Sequence, residues 1–328
     1  MKNLLENKVI KNRFHFIKSF NEKEWWYTGI QFDGCFIGIS QIRSIFIDST
    51  AVVFFDGKNS YPKPKKSKDK FLAGYYLKKN LKKTDEHSLV VESKNLSYKY
   101  YEINNDPKKN GYKLEFKTSG LKKFNGGDIE VDLILKIKNP VFEKYDDYFE
   151  NYYGLINHFL FIEKGIIKVN GKEFKISAKD KKYIYQDHCF GNVPRKTKWN
   201  WAAVWNKKLY LDVLTNYGVY PQNYCEVLIP SKDKDWLRLN QDVSFEYDSR
   251  ENKFEKQWKI TSTNLDLTME FLGTALEREA IPFSWCPFFI NLFHYQCFAR
   301  VWGKVYVDGK WIETGDMFGV FETHHGKW

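Results

Sequence analysis

The chain has 328 residues, of which 43% are hydrophobic and 18% aromatic, and its formal net charge is +11. This length is sufficient for two domains that each bury a core, and the composition excludes extended disorder outside short tracts. Phe, Tyr and Trp favour pleated, half-buried surfaces and apolar pockets.

The sequence predicts neither secretion nor insertion into a membrane. The first twenty residues carry charges such as Glu6 and Arg13, and they contain no continuous apolar stretch of the kind that a secretory signal requires. The longest apolar run, Ile281 to Phe293, includes two prolines and is shorter than the roughly 20 residues that span a bilayer. We therefore expect a cytoplasmic protein without a transmembrane helix.

The first strand is predicted by the sequence WWYTGIQF, which follows Glu24. Trp25, Trp26 and Tyr27 each combine a large ring with a polar group, so they are candidate ligand-binding residues. Packing in the core or at its rim is the alternative interpretation of all three.

Excess positive charge is concentrated in Lys63 to Lys70 and in four lysines between Lys78 and Lys83. No recognisable nucleic-acid-binding motif surrounds these lysines, so no nucleic acid partner is expected. The region predicts a solvated loop and surface, and transient contact with an anionic membrane is the alternative.

Segments in which apolar and polar residues alternate recur from about residue 90 to the end, and this pattern is typical of half-buried antiparallel strands. In the clearest segment, Ile129 to Ile137, the odd-numbered positions are apolar and charged residues occupy most positions between them. Tyr112 to Phe116 and Leu265 to Phe271 repeat the pattern.

Two dipeptides predict tight hairpins, because Asn-Gly and Asp-Gly adopt positive φ at low cost. They are Asn170-Gly171 and Asp308-Gly309. Helical periodicity is scarce, with short helices predicted only around Tyr145 to Asn157 and around Asn206 to Tyr210.

The fold class is therefore all-β with minor helix. Many short antiparallel strands in a closed system indicate a barrel, which removes exposed edges and leaves an interior that can hold a ligand. A short charged joint at Pro194 to Lys198 predicts two domains, at 1–195 and 196–328.

The five cysteines are far apart and form no CxxC pair of the kind that binds zinc or exchanges disulfides. We interpret them as reduced, mostly buried small hydrophobic residues. They are Cys35, Cys189, Cys225, Cys286 and Cys297.

The mid-chain segment YQDHCFG contains adjacent polar groups, Asp187 and His188, in an aromatic setting that continues with Trp199 and Trp201. A carboxylate can orient or charge an imidazole, or protonate an alkene if burial raises its pKa. Alternatively, the two side chains satisfy buried backbone groups at the junction of two barrels.

The chain ends in FGVFETHHGKW, in which Glu322 and His324 are candidates for proton transfer. His324 and His325 are neighbours, so on a strand they point to opposite faces and cannot share a metal ion without a bend. We therefore expect no metal site and no cofactor. Further candidate ligand-binding residues in this part of the chain are Tyr295, Gln296 and Trp328.

Four segments occur in a characteristic order: EWWY near the start, DHCFG followed by KWNWAAVW, then HYQCF, and the terminal FGVFETHHGKW. Together they resemble the lipocalin-like group that includes AttH-type proteins, carotenoid hydratases (hydroxyneurosporene synthases) and a bacterial family, domain of unknown function 2804, whose members end in a similar motif, G-x-x-E-x-H-x-x-W. The resemblance spans nearly the whole chain. It implies two tandem lipocalin-like antiparallel β-barrels packed together.

Hydratases of this group add water across an isolated double bond of an isoprenoid, and related fungal members catalyse cyclisations. The resemblance therefore implies that Asp187 donates a proton, with His188 as its partner. It also implies that Trp199 and Trp201 face the resulting cation. The hydratase branch has D-H-N-W-G where this chain has D-H-C-F-G.

Three functions fit these residues. One is an enzyme that hydrates, isomerises or cyclises a polyunsaturated lipid, which requires Asp187 or Glu322 to face a cavity. Another is a non-catalytic lipid carrier or sensor, with Ile281 to Phe293 as its lid or membrane contact. The third is a structural, partner-binding protein whose inter-barrel seam is filled by side chains. No GxSxG, P-loop or GxGxxG motif occurs, which disfavours serine hydrolase, nucleotide and dinucleotide chemistry. We favour binding of a hydrophobic small molecule, with its chemical transformation left as an open alternative.

Overall fold

The chain folds almost entirely as antiparallel β-structure in the computed structural model. The structure describes residues 22–44, 48–58, 60–61, 77–78, 80–84, 87–93, 96–103, 111–119, 128–138, 141–148, 151–193, 196–216, 223–229, 237–239, 242–246, 257–279 and 291–327. Within these ranges the helical content is one 3-10 turn, Ala178–Asp180. The predicted all-β class is confirmed.

The first sheet has 14 strands, and we call this curled sheet the first barrel. Its strands are β1 (Glu22–Phe32), β2 (Cys35–Ser44), β3 (Asp48–Phe55), β4 (Ser60–Tyr61), β5 (Leu77–Lys78), β6 (Asn80–Thr84), β7 (Leu89–Ser93), β8 (Leu96–Glu102), β9 (Gly111–Thr118), β10 (Ile129–Lys136), β11 (Phe142–Tyr148), β12 (Asn151–Val169), β13 (Lys172–Ser177) and β14 (Tyr183–Asn192).

The second sheet has 10 strands and is called the second barrel. Its strands are β15 (Lys196–Trp205), β16 (Tyr210–Asn216), β17 (Tyr224–Leu228), β18 (Leu237–Arg238), β19 (Ser244–Glu246), β20 (Trp258–Ser262), β21 (Leu265–Glu279), β22 (Asn291–Val307), β23 (Lys310–Glu313) and β24 (Met317–Lys327). The division into two domains at 195/196 stays a prediction.

The two barrels share one topological feature. In each, the first strand pairs antiparallel with the last: β1 with β14, and β15 with β24. The pairing places the predicted EWWY and DHCFG segments side by side in the first barrel, and KWNW beside ETHH in the second.

The predicted alternation is confirmed in β10, where Ile129, Val131, Leu133 and Leu135 are all buried. These side chains belong to the apolar interior of the first barrel, while Leu265, Leu267 and Met269 belong to that of the second. Each sheet therefore curls around a core of its own, as period-two patterning requires.

Both predicted hairpins are confirmed. Asn170 and Gly171 have φ of 54° and 83°, and Asp308 and Gly309 have φ of 53° and 80°. Each dipeptide joins directly paired residues, since Val169 pairs with Lys172 and Val307 with Lys310.

Both predicted helices are wrong. The segment from Tyr145 to Asn157 lies in the pair β11 and β12, where Tyr148 pairs with Asn151. Its four tyrosines suit a sheet, and pairing with neighbouring strands overrides the local helical spacing. The segment from Asn206 to Tyr210 is a turn, because Asn206 Oδ1 accepts hydrogen bonds from the backbone N–H groups of Lys208 and Leu209 at 2.8 and 3.0 Å.

No helix within the described residues is long and apolar enough to cross a membrane. Cytoplasmic location stays a prediction. Residues 281–290 of the predicted lid or membrane contact, Ile281 to Phe293, and the lysine cluster at 63–70 lie outside the described residues, so the roles of both segments stay predictions. Cys189, Cys225 and Cys297 are buried free thiols and Cys35 is partly exposed, whereas Cys286 lies outside the described residues.

Candidate functional site

The two barrels meet at a cluster of buried, mostly aromatic side chains, which we call the seam. The first barrel supplies Tyr27, Phe36, Val53, Phe55, Phe159 and Tyr185, and the second supplies Trp201, Ala203, Trp205, Tyr210, Leu228, Phe298 and Val320. Trp201 and Tyr27 meet edge to face across it, with ring centroids 5.6 Å apart. The seam is therefore an apolar layer between two separate cores.

A glycine allows the barrels to approach this closely. A Cβ atom at Gly29 on β1 would lie 2.9 Å from Trp205 Cη2 and 3.1 Å from Phe36 Cζ. Because carbon atoms do not pack at such distances, a side chain at this position would push the Trp205 ring away. Gly29 thus lets a ring of the second barrel rest on the backbone of the first.

Asp187 on β14 carries a buried carboxyl that faces the seam. Tyr185 and Cys189 lie on the same face of β14 as Asp187, and Tyr185 is a member of the seam. The Cys189 thiol donates a hydrogen bond to Asp187 Oδ1 at 3.0 Å. Burial raises the pKa of Asp187 to about 7, and the hydrogen bond from Cys189 opposes that increase only in part. Near neutral pH this group can hold and release a proton.

Asp212 on β16 is a second carboxyl in the same region, and the sequence reasoning missed it. Its Oδ1 accepts a hydrogen bond from Trp201 Nε1 at 2.7 Å. Its Oδ2 accepts from Asn157 Nδ2 at 2.9 Å and from the Tyr185 hydroxyl at 3.2 Å. Asp212 therefore ties together side chains of both barrels.

Burial raises the pKa of Asp212 well above its usual range, and the charges of Glu226 and Asp187 raise it further. Glu226 is the direct partner of Asp212 in the pairing of β16 with β17. The Glu226 carboxylate accepts a hydrogen bond from Arg238 Nη2 at 2.9 Å, and the Arg238 side chain is 40% exposed. The carboxyl groups of Asp187, Asp212 and Glu226 thus follow one another from the seam towards the surface.

One signal in the sequence could have identified Asp212. It is a lone acidic residue among apolar neighbours in the segment Tyr210 to Leu214. A charge buried in such a strand must be paired or neutralised, so the pattern marks it as a candidate site residue.

His188 does not face the seam. Successive side chains on a strand point to opposite faces, and His188 lies inside the first barrel, stacked on Trp26 with ring centroids 3.7 Å apart. Its Nε2 is 3.1 Å from Glu24 Oε1. The structure therefore separates the predicted partners Asp187 and His188, and it places Trp26 with His188 on the far side of the sheet.

The predicted C-terminal candidates come together on the seam-facing side of β24. Gln296 Nε2 donates a hydrogen bond to Glu322 Oε1 at 2.6 Å. His324 stacks on Trp199 with ring centroids 3.7 Å apart, and its Nε2 lies 2.9 Å from Thr197 Oγ1. These groups continue the polar part of the seam beyond Asp187.

The remaining predicted residues are distributed as follows. Trp25 stacks on Trp199 with centroids 6.4 Å apart, and so it joins the same aromatic region. Tyr295 is buried, but it follows the opposite alternation to Gln296 on β22. Trp328 lies outside the described residues. Within the described part of the chain, no three His, Cys, Asp or Glu side chains form a group suited to a metal ion.

A family model described as domain of unknown function (DUF2804) matches residues 5–328. No curated protein matches the chain. Similar solved structures include an AttH candidate from Nitrosomonas europaea, with a TM-score of 0.54, 14% identity and 92% of each chain covered. CghA with Sch210972 is another, with a TM-score of 0.52, 8% identity, and 92% of this chain and 88% of that chain covered. These similarities confirm the expected tandem lipocalin-like barrel fold.

Proposed function

The chain belongs to the DUF2804 family, and from the geometry of its own seam we propose that it binds a hydrophobic small molecule between its two barrels and transforms it with the help of an acid. The ligand class is an isoprenoid or another unsaturated lipid. The observation that carries the proposal is the position of the Asp187 carboxyl, which is buried at a layer of Trp and Tyr rings from both barrels.

Asp187 is the proton donor in this proposal. Its O–H bond breaks as a new C–H bond forms with the electron pair of a ligand double bond, which leaves a carboxylate and a carbocation. Addition of water and loss of one proton then gives an alcohol; loss of a proton from a neighbouring carbon gives an isomer. Attack by a second double bond, followed by proton loss, gives a ring. In each case a proton returns to Asp187, so the acid is regenerated.

Aromatic faces stabilise a nearby cation, and the seam supplies several of them. Trp201 is held by its hydrogen bond to Asp212, and Tyr27 packs against it edge to face. Asp212 acts as a positioning residue, because it fixes Trp201 and Tyr185 at the same time. A fixed set of rings costs no reorganisation when positive charge develops.

The proposal is tested on protein purified from its own host. Native mass spectrometry and organic extraction are compared for the wild type and for Asp187→Asn, which keeps the shape of the side chain but removes the acidic proton. We expect the unreacted ligand to accumulate on the variant and a chemically altered product to appear with the wild type. Asp242→Asn is the matched control, because Asp242 is exposed and binds only the Thr263 turn in the described contacts.

Two results would contradict the proposal in different ways. The same unaltered lipid on both proteins would indicate a carrier and remove the acid step. A protein without any lipid, in every variant, would contradict ligand binding itself and favour a structural role for the seam.

A further inference from the structure

Asn157 on β12 carries a buried amide oxygen, Oδ1, that has no hydrogen-bond partner in the part of the chain that the structure describes. The residue is 0% exposed. A buried acceptor without a donor opposes folding by more than an ordinary hydrogen bond contributes, and native proteins therefore contain few of them. The oxygen of Asn157 thus calls for a donor.

The orientation of the Asn157 amide is set by the second barrel. Asn157 Nδ2 donates a hydrogen bond to Asp212 Oδ2 at 2.9 Å. Asp212 is an acceptor towards two further neighbours, since Trp201 Nε1 donates to it at 2.7 Å and the Tyr185 hydroxyl at 3.2 Å. Because an amide nitrogen only donates and an amide oxygen only accepts, this contact leaves Oδ1 to accept from another group.

Asp187 is the neighbour that can supply the donor. Asn157 and Asp187 are direct partners in the pairing of β12 with β14. Residues directly opposite each other in antiparallel strands have Cβ atoms about 4.5–5.5 Å apart and point to the same face. Both side chains extend only one carbon atom beyond Cβ, so an oxygen atom of one can come within hydrogen-bonding distance of the other.

Only the protonated form of Asp187 can donate to this oxygen. A carboxylate has no hydrogen to donate, whereas a neutral carboxyl group has one O–H donor. The Cys189 thiol donates to Asp187 Oδ1 at 3.0 Å, which leaves Oδ2 to carry the proton. The raised pKa of Asp187, about 7, agrees with a group that retains its proton up to neutral pH.

We propose that Asn157 is a positioning residue, whose amide oxygen accepts a hydrogen bond from the protonated carboxyl group of Asp187. Such a bond favours the neutral form of the acid and holds its O–H group in one orientation. Asn157 then connects Asp187 of the first barrel with Asp212 of the second. The catalytic meaning of this bond rests on the proposed function, in which Asp187 must enter the reaction with its proton.

The test removes the acceptor and follows the pKa of Asp187 in the protein without any ligand. Asn157→Leu has a side chain of similar size that neither donates nor accepts. Urea denaturation between about pH 4 and pH 9 compares this variant with the double variant that also carries Asp187→Asn, and the wild type with Asp187→Asn alone. The stability difference within each pair changes with pH only between 3.8 and the pKa of Asp187 in the folded protein, so the upper limit of this range gives that pKa.

Other titratable groups are common to both members of each pair, so their contributions largely cancel in the difference. Those within electrostatic reach of Asp187 are His188, Cys189, Tyr185, Tyr27, Tyr210 and Asp212.

We expect Asn157→Leu to lower the pKa of Asp187 by about one unit, which is about a tenfold loss of proton affinity and matches the loss of one hydrogen bond. A hydrocarbon side chain makes the surroundings of the carboxyl less polar, and this change alone would raise the pKa. A lowered pKa is therefore specific to the lost acceptor.

Tyr185→Phe is the matched control. It removes the Tyr185 donor of Asp212 and so disturbs Asp212 as the loss of Asn157 Nδ2 does, but it leaves Asn157 Oδ1 in place. We expect that the pKa of Asp187, measured with the same pair of proteins in this background, does not fall. An equal fall in the Tyr185→Phe and Asn157→Leu backgrounds would show that the effect passes through Asp212, and it would overturn the inference.

Infrared spectroscopy gives a second measurement that does not depend on an unfolding transition. The protonated Asp187 carboxyl has a C=O stretching band at low pH, which is identified by its loss in Asp187→Asn. We expect this band to move to higher frequency when the hydrogen bond to Asn157 is lost. Asn157→Ala is measured beside Asn157→Leu, so the test remains available if the larger side chain prevents folding. A band that stays in place in the folded variant contradicts the bond.

The remaining outcomes separate this inference from the proposed function. An unchanged pKa of Asp187 in Asn157→Leu means that the two side chains are not bonded. A raised pKa means that the amide is reversed and its nitrogen donates to the Asp187 carboxylate. Either result overturns the inference and leaves the lipid extraction experiment unaffected, because the titration uses no ligand. A protein that never carries a lipid contradicts the proposed function and leaves the hydrogen bond in place.

Discussion

Trp26 and His188 are direct partners in the pairing of β1 with β14, and their rings stack with centroids 3.7 Å apart. Trp199 and His324 are direct partners in the pairing of β15 with β24, and their rings stack at the same centroid distance, 3.7 Å. The two stacks point in different directions, since the first lies inside the first barrel and the second faces the seam. The Trp26–His188 stack therefore stabilises the first barrel, whereas the Trp199–His324 stack borders the candidate site.

The stack inside the first barrel predicts a large contribution of Trp26 to stability. Trp26→Ala removes a fully buried ring and its contact with His188, so the free energy of unfolding should fall by about 3–5 kcal/mol in urea denaturation. Trp311→Ala is the control, because Trp311 is 48% exposed. Its effect should stay within about 0.5 kcal/mol, and equal losses for the two variants would contradict this assignment.

The raised pKa of Asp187 predicts a pH dependence of stability. Its carboxyl has a pKa of about 7 in the folded protein and an ordinary value of 3.8 in the unfolded chain. Between these pH values the unfolded chain binds fewer protons than the folded protein, so the contribution of this group is complete at low pH and is lost as the pH rises towards 7. The loss is at most about 1.4 kcal/mol per pH unit.

Urea denaturation of the wild type and of Asp187→Asn at pH 5 and pH 8 measures this effect. The amide does not titrate, so the variant should gain stability relative to the wild type as the pH rises. Other buried carboxyls, such as Asp212, are present in both proteins and largely cancel in the difference. A constant difference across this pH range would show that Asp187 does not titrate there.

Asp212 predicts a strong effect of side-chain truncation. Asp212→Ala leaves Trp201, Asn157 and Tyr185 without their shared acceptor, and each unsatisfied buried donor costs about 1–3 kcal/mol. We expect a loss of at least about 3 kcal/mol in the free energy of unfolding, measured by chemical denaturation. Asp316→Ala is the control, since Asp316 is 46% exposed and pairs with Arg300 at 2.9 Å. If Asp212→Ala lowers the free energy of unfolding as little as the control does, water molecules accept hydrogen bonds from the three donors and the prediction is contradicted.

Gly29 predicts that the contact between the barrels is sensitive to a single methyl group. Gly29→Ala pushes against Trp205 and Phe36, and we expect a loss of about 1–3 kcal/mol together with a changed near-ultraviolet circular dichroism spectrum. Gly171→Ala is informative as a comparison, because φ at Gly171 is +83° and an added Cβ meets no atom within 4 Å. We expect Gly171→Ala to lower the free energy of unfolding through backbone strain alone and to leave the near-ultraviolet circular dichroism spectrum unchanged.

Period-two alternation and turn chemistry were sufficient to predict the strands at Ile129 and Leu265 and the hairpin at Asn170, because these depend on local sequence. The helix predicted from Tyr145 to Asn157 failed because a strand is chosen by its neighbours. In the structure β12 pairs with β10, β11 and β14 along its length, and no local pattern contains that information.

The candidate site was predictable only in part, for a similar reason. The alternation that separates His324 from His325 also separates Asp187 from His188, so the strand assignment already implied that these neighbours face different ways. Asp212 is brought to Tyr185 and Asn157 by packing between the two barrels. Such contacts follow from tertiary structure, and the sequence marks them only by a lone acid in an apolar strand.

In each sheet the first strand in the sequence pairs with the last, and this has a consequence for folding. During synthesis β1 cannot pair with β14 until β14 has left the ribosome, and β15 cannot pair with β24 until β24 has left it, so neither pairing can form from local contacts. Folding is therefore expected to be slow, with the edges of β1 and β15 open to wrong partners in the meantime. Trp199 meets His324 only when the last strand is added, which makes the completed seam one of the final products of folding.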